Sequence, residues 1–360
     1  MKIGIVLRSC KAAGSSKYVI ETAKEFVKSN DVHVFANYWD SLDNRVYAHK
    51  IPVIPGNFYM REASFMLFAS AMMAGKKFDV TLAQPTRYFS PTVAEMQFVQ
   101  KSWVEYRIAN HMKITLGDRI LPKIEKYNLK RCKMAIAISR SVADDIARLY
   151  NFPEEKTRVV YSGVDCEEFN PDNRKKYSEE IRKRHGIGGG EKIILFQGNP
   201  FDRKGLEYAI RALPLVRENA KLIVVGNDNI APYMKIAREL RVDKKIIHIP
   251  FTNEMKKYFA AADAFLLPSL YDTFALVVLE AMASGCGVVS SKYAGVSELI
   301  EDGKEGFVID PKNCNDIAEK INIMLNSGSV FRKNARKKAE QCGWDKTAKK
   351  MLEVFEEVKG

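Results

Sequence analysis

Apolar runs of strand length alternate with amphipathic runs of helix length along most of this 360-residue chain. No other feature restricts the fold as much. A strand, a helix and a second strand in succession return the chain parallel to itself, and a parallel sheet is covered by helices on both faces. In the first half, residues 2–8, 32–37, 79–84, 134–139 and 158–165 read as strands, and residues 17–29, 62–74 and 142–150 as helices. A tract of mixed charge, residues 94–128, reads as long helix. In the second half the strand readings are 192–198, 221–226, 246–250, 264–269, 287–291 and 306–310. Helix readings lie between them at 205–216, 233–241, 253–262, 274–285 and 296–302, and the remainder from Asn315 reads as helix. The polar, glycine-rich stretch 165–191 reads as the connection between two domains. The expected class is α/β, with two Rossmann-like doubly wound domains and a cleft between them. Ligands of such sheets bind at the carboxyl ends of the strands.

Composition excludes several classes. Hydrophobic residues make up 46% and charged residues 28%, the profile of a globular chain. The opening residues MKIGIVLR lack the apolar core of a signal peptide and read as a first strand. The longest apolar stretch, residues 63–75, is too short to span a bilayer. It reads as a core helix, with insertion of its Phe and Met face into a membrane as the alternative. Six cysteines, at 10, 132, 166, 286, 314 and 342, have neither paired nor zinc-type spacing and read as reduced thiols of a cytoplasmic protein. The net charge of +13 implies a solvated lysine-rich surface or weak attraction to anionic lipid. No nucleic-acid-reading motif accompanies the cations, so no nucleic-acid partner is expected. Dinucleotide and Walker A fingerprints are missing, and the glycines at 186–190 precede a strand instead of following one. No Asp-x-Asp pair occurs, which argues against a nucleotide-bound divalent metal.

Chemistry concentrates in residues 268–298. Asp272 lies in a loop, and Glu280 follows eight residues later inside an otherwise apolar run from Phe274 to Ala283. A helix that is apolar nearly all round is buried, and a buried carboxylate must be paired, bonded to a ligand or neutral. Gly285 and Gly287 end the helix before a short strand. Glu280 is therefore a structural acid with an internal partner, or the polar contact of a ligand clamp. Free amides at Phe274, Ala275, Leu276 and Val277 would face an anion at the helix start. Arg203 and Lys204 follow the strand ending at Gly198 and read as phosphate-binding cations or as surface charges. In the first half, Gly14 opens a helix after the first strand and permits close backbone approach to a ligand.

These residues resemble the retaining glycosyltransferases of the GT4 family, which have the GT-B fold. The family's Glu-x7-Glu segment is matched from Pro268 through Asp272, Phe274 and Glu280-Ala281-Met282 to Val289. Ala294-Gly295-Val296-Ser297-Glu298, Glu305-Gly306-Phe307, Lys204-Gly205 and Ser162-Gly163-Val164-Asp165 match further motifs. The likeness is dense in the C-terminal half and loose in the N-terminal half. The run Arg203-Lys204-Gly205 is also faintly similar to the branch that glucosylates the lipopolysaccharide core. Four positions depart from the pattern: Asp272 for the first Glu, Ala275 for a Gly, Asn199 where Arg is frequent, and Gly287 for Pro.

The resemblance implies an acceptor domain over residues 1–165 and a donor domain over 166–344, with a helix at about 345–360 packing back on the first. It implies transfer of a hexose from a UDP- or GDP-sugar to a glycan or lipid-linked acceptor with retention, in the cytoplasm, with peripheral contact to an anionic membrane. No cofactor and no metal are expected. Glu280 would bind the ribose, and the loop at 248–252, with Pro250 and Phe251, would hold the base. Gly198, Arg203, Lys204 and the amides of residues 275–277 would hold the diphosphate, and Asp272 a sugar hydroxyl. In the N-terminal half, Glu95, read in the loop 84–95, would touch the donor sugar or acceptor, and Arg87 an acidic acceptor. Surface or capping roles stand beside both. His111 reads as structural. Two other functions remain open: a nucleotide-sugar epimerase of the same fold, and a non-catalytic protein binding a nucleotide sugar or polyanion.

Overall fold

The computed structural model describes residues 1–9, 15–40, 42–250 and 252–359. Gly14 and Phe251 lie outside the described residues. The chain divides into two compact units, residues 1–163 with 344–360, and residues 164–343.

Unit 1 begins with β1 (Lys2–Val6), α1 (Ser15–Phe26), β2 (Asp31–Ala36), β3 (Tyr47–Lys50), α2 (Phe58–Met73) and β4 (Val80–Ala83). It continues with β5 (Val93–Met96), α3 (Gln100–Ala109), α4 (Leu116–Leu129), β6 (Met134–Ala137), α5 (Arg140–Tyr150) and β7 (Thr157–Val159). The described strands form one sheet in the order β3-β2-β1-β4-β5-β6-β7. Every neighbouring pair is parallel. The sheet grows outward in both directions from β1 and β4, so their carboxyl ends flank the point where strand order reverses.

Two readings of this half are corrected. Residues 94–128 are not one helical tract. They begin inside β5, continue as α3, and resume as α4 after a break at residues 110–115. Thr115 caps α4 in a reciprocal bond with Asp118, and His111 takes a left-handed conformation with φ 54° in the break. Glu95 therefore sits in a strand instead of a loop. The short runs of β3 and β5 escape a reading based on periodicity, because four residues cannot display a period.

Unit 2 comprises α6 (Asn173–Arg184), β8 (Lys192–Gln197), α7 (Phe201–Lys204), α8 (Leu206–Ala212), β9 (Ala220–Val225), α9 (Ala231–Glu239) and β10 (Ile246–Ile249). Next come α10 (Met255–Ala261), β11 (Ala264–Leu267), α11 (Leu276–Ala283), β12 (Gly287–Ser291), β13 (Gly306–Ile309) and α12 (Cys314–Ala339). The strand order is β10-β9-β8-β11-β12-β13, again all parallel. The strands are continuous apolar runs because both faces are covered. Ile194, Leu195, Phe196, Phe265 and Val288 are all essentially inaccessible. The stretch 165–191 is more than a connection, since α6 lies within it and is part of this unit. Within residues 296–302, read as helix, only a short 3-10 helix forms, Gly295–Leu299, and the chain is extended again at Ile300.

The last helix, α13 (Trp344–Val358), belongs to unit 1. Its apolar face, with Trp344, Met351 and Phe355, is buried there against Tyr18 and Phe26 of α1.

Candidate functional site

The residues picked out in the C-terminal half come together at the carboxyl ends of β8 and β11, where the strand order of unit 2 reverses. Gly198 directly follows β8, and its amide bonds to Val225 O at 3.1 Å. A Cβ there would lie 2.6 Å from Lys204 Cγ, so only glycine lets the lysine stem lie across the strand end. Asn199 Oδ1 then accepts from the amides of Asn227 (2.9 Å) and Asp228 (3.2 Å), tying the loop after β8 to the loop after β9. Asp228 in turn accepts the amide of Phe201 at 2.9 Å. Phe201 is fully buried with its ring edge-on to Tyr233 and His248, which anchors α7. Arg203 and Lys204 are thereby carried on a fixed single turn.

Gly205 ends that turn at φ 76°, and a Cβ would fall 1.9 Å from the Pro268 carbonyl. This close approach brings α7 against the loop after β11. Leu270 N bonds to Arg203 O at 2.8 Å. Arg203 donates to Tyr271 O (2.8 Å) and Asn199 O (3.1 Å), leaving its guanidinium 3.9 Å from Asp272. Lys204 donates directly to the Asp272 carboxylate. Burial pushes the Asp272 carboxyl up, but the charges of Lys204 and Arg203 outweigh it and hold it below the ordinary carboxylate range. The loop is pinned from its other side, because Asp272 N bonds to Tyr293 O (3.1 Å) and Gly295 N to Asp272 O (3.1 Å).

α11 starts at Leu276, two residues later than expected. The Phe274 amide is taken by Asp272 Oδ1 at 3.3 Å, so it is not one of the open helix-start amides. Ala275 sits at φ 68°, ψ 64°, and no described side chain caps the helix. The amides of Leu276 and Val277 thus begin a helix whose positive dipole end lies beside the Arg203–Lys204 turn. Glu280 is buried within α11, 7% exposed. Pro250 is exposed at the carboxyl end of β10, and His248 Nε2 lies 2.9 Å from Gly226 O.

The structure therefore groups Gly198, Arg203, Lys204, Asp272, Ala275, Leu276, Val277 and Glu280 in one half of the chain. Asp228 went unnoticed in the sequence, and Ser269 entered only as part of the matched segment that begins at Pro268. The turn Asn227-Asp228-Asn229 after a strand was the available signal for the first. Ser269 is fully buried with its hydroxyl unpartnered among the described residues, and no sequence pattern marks that.

In unit 1, Glu95 is buried in β5 and accepts from Gln97 Nε2 at 2.5 Å. Burial pushes its carboxyl up to about 7. Arg87, just past β4, forms an ion pair with Glu62 of α2, which also accepts from Arg8 at 3.0 Å. Burial and the neighbouring Arg8 lower the Arg87 guanidinium to about 10.

Two parallel-sheet Rossmann-like units of this kind define the GT-B architecture. The sequence profile of the glycosyl transferases group 1 family matches residues 177–342, and that of glycosyltransferase family 4 matches residues 12–168. The chain belongs to this group 1, GT4-type family of glycosyltransferases. It is 36% identical over 232 residues to an uncharacterized glycosyltransferase of Methanocaldococcus jannaschii, covering 61% of this chain and 59% of that protein. It is 30% identical over 268 residues to spore coat protein SA of Bacillus subtilis, covering 68% of this chain and 71% of the relative. Among solved structures, WaaG, a glycosyltransferase involved in lipopolysaccharide biosynthesis, superposes with a TM-score of 0.80 at 20% identity over 98% of this chain and 99% of its own. Anabaena HepE in complex with UDP and glucose superposes with a TM-score of 0.76 at 19% identity over 99% and 100%. These likenesses carry the fold. Among the described residues, no helix is long and apolar enough to cross a membrane.

Proposed function

We propose that this protein is a retaining glycosyltransferase that moves a hexose from a nucleotide-diphosphate sugar to a glycan or lipid-linked acceptor. The observation that carries the reading is the Arg203–Lys204 turn held against Asp272 and the start of α11. Two cations and the helix-start amides of Leu276 and Val277 suit a diphosphate leaving group. A UDP-sugar is the favoured donor, because the solved HepE structures hold UDP and UDP-glucose. A relative named D-inositol 3-phosphate glycosyltransferase favours transfer over epimerisation or binding alone.

In the proposed reaction, the bond from the anomeric carbon to the diphosphate oxygen breaks while an acceptor hydroxyl bonds to the same face. The leaving phosphate takes the hydroxyl proton. Charge stabilisation of that leaving group is the main contribution, and losing one cation costs about 3 kcal/mol, or ~100-fold in rate. Glu280 would bind the ribose hydroxyls, Gly198 and Pro250 would line the nucleotide, and Asp272 would release Lys204 to the diphosphate and take a sugar hydroxyl. Glu95 is assigned to the acceptor side. No metal is required in this scheme, since the two cations take its place. The protein would act in the cytoplasm in cell-envelope glycan synthesis, in peripheral contact with the membrane.

A thermal-shift screen against UDP-, GDP- and ADP-sugars tests the reading, with an Arg203→Ala/Lys204→Ala variant alongside. One nucleotide sugar should stabilise the parent in EDTA and leave the variant unmoved. Equal shifts in parent and variant would sink the donor-site assignment.

A further inference from the structure

The last four carbonyls of an α-helix find no partner among the amides of its own interior, and in a buried helix each must be met from outside. In α11 the residues just beyond its end meet three of them: the amides of Ser284, Gly285 and Cys286 donate to Glu280 O (3.0 Å), Met282 O (3.0 Å) and Ala281 O (2.9 Å). The fourth, Ala283 O, accepts at 2.7 Å from Nη1 of Arg336, in the last turn of α12. The same nitrogen donates to Cys166 O at 3.1 Å and to Phe169 O at 2.8 Å, while Nε donates to Glu340 at 2.7 Å. Nη1 carries two hydrogens, so the three carbonyls share them. The guanidinium also faces the negative end of the α11 dipole. Eight residues, about 12 Å of helix, separate it from the helix start assigned to the diphosphate.

Arg336 holds more than a helix end. The chain passes from unit 1 to unit 2 between Gly163 and Val164, and returns between Gly343 and Trp344. Cys166 and Phe169 lie in the first turn after the entry. Asp165 Oδ1 accepts the amides of Glu167 and Glu168, both at 2.9 Å, and Asp165 O accepts that of Phe169 at 3.0 Å. Phe169 is buried with its ring edge-on to Phe259. Val164 N bonds to Cys342 O at 2.8 Å, so the entering and leaving segments of unit 2 run side by side. Arg332, one turn earlier on α12, bonds instead to Asp263, just before β11, at 3.1 Å.

We infer that Arg336 is a positioning residue that ties α11 to the segment by which the chain enters unit 2. A nucleotide held at the start of α11 is thereby felt at residues 166–169. The inference rests on the donor-site reading proposed above. A helix fixed at its start by a ligand opens less often at its end, and carbonyls that share one guanidinium are ordered together. Were Arg336 a staple of the fold alone, its loss would lower stability and leave the response of that segment to nucleotide unchanged. A coupling between two places disappears when the group that links them is cut.

Hydrogen exchange of the full chain, read by mass spectrometry with and without UDP, tests this. In the parent, UDP should slow exchange across residues 276–280 and, by at least about fivefold, at the amides of Glu167, Glu168 and Phe169. In Arg336→Met the protection at 276–280 should remain and that at 167–169 should vanish. Arg332→Met cuts the same helix but spares these carbonyls, and should keep both. Arg336→Lys keeps the charge on a shorter stem and should retain only part of the distant protection. It stands in for the methionine variant if that one does not fold. Protection at 276–280 with none at 167–169 in the parent overturns the inference. So does full distant protection in whichever Arg336 variant is read, or its loss in Arg332→Met as well. UDP that protects neither region of the parent removes the donor-site reading first, and this inference with it.

Discussion

The ammonium of Lys204 donates to the carboxylate of Asp272 across 68 residues of sequence, with both side chains largely buried. Removing one member of such a pair leaves a desolvated charge behind, which costs about 3–5 kcal/mol. Asp272→Asn should therefore lower the melting temperature, and added UDP should restore most of the loss by giving Lys204 a new anion. Melting curves with and without UDP check this. The same loss in both conditions would place Lys204 away from the diphosphate.

Ala275 and Gly205 both occupy left-handed backbone, at φ 68° and 76°. A non-glycine residue costs about 1–2 kcal/mol there. Ala275→Gly should stabilise unit 2 by about 0.5–1 kcal/mol, after the entropy cost of glycine is deducted. Gly205→Ala should destabilise it by at least about 3 kcal/mol, since the added methyl meets the Pro268 carbonyl as well. Urea denaturation of the two variants gives shifts of opposite sign if the backbone is as described.

Glu95 holds its proton to about pH 7 in the folded protein, because burial penalises the charged form, whereas its ordinary value is 4.5. The folded state binds more protons between those values, so stability falls as pH rises through them. The stability this carboxyl retains is full below about 4.5 and lost above about 7, amounting to roughly 3 kcal/mol. Glu95→Gln keeps the acceptor for Gln97 and removes the titration. The variant should match the parent at pH 4.5 and exceed it at pH 8. A stability difference that does not change with pH would count against this account.

Glu62 is the common partner of Arg8 and Arg87. Glu62→Gln leaves two partly buried guanidiniums without a counter-charge and should cost about 3 kcal/mol. Adding Arg87→Met removes one of the stranded charges and should recover about half. A double-mutant cycle by chemical denaturation measures the coupling, and strict additivity of the two changes would dissolve the cluster as an energetic unit.

The α/β alternation was readable because buried parallel strands are continuous apolar runs and their helices have an apolar face, both local properties of the chain. A helix cap is equally local: Ser139 Oγ accepts from the Val142 amide three residues on, at 3.3 Å. The start of α11 was misplaced by two residues. Asp272 takes the Phe274 amide, and an apolar run gives no sign of where its first turn opens. The outward stripe of α2, read as core with an exposed Phe and Met face as the alternative, stayed undecided because an all-round apolar helix looks the same whether or not anything covers its second face.

The residues alone determined two parallel α/β units, an acid set within an apolar helix, and two cations after a strand. Each follows from composition and spacing over a few turns of chain. Only the tertiary structure decided that Lys204 meets Asp272, that Glu95 is buried in a strand, and that Glu62 joins Arg8 to Arg87. Those facts depend on which distant segments the sheet order brings side by side, and local periodicity carries no information about that order.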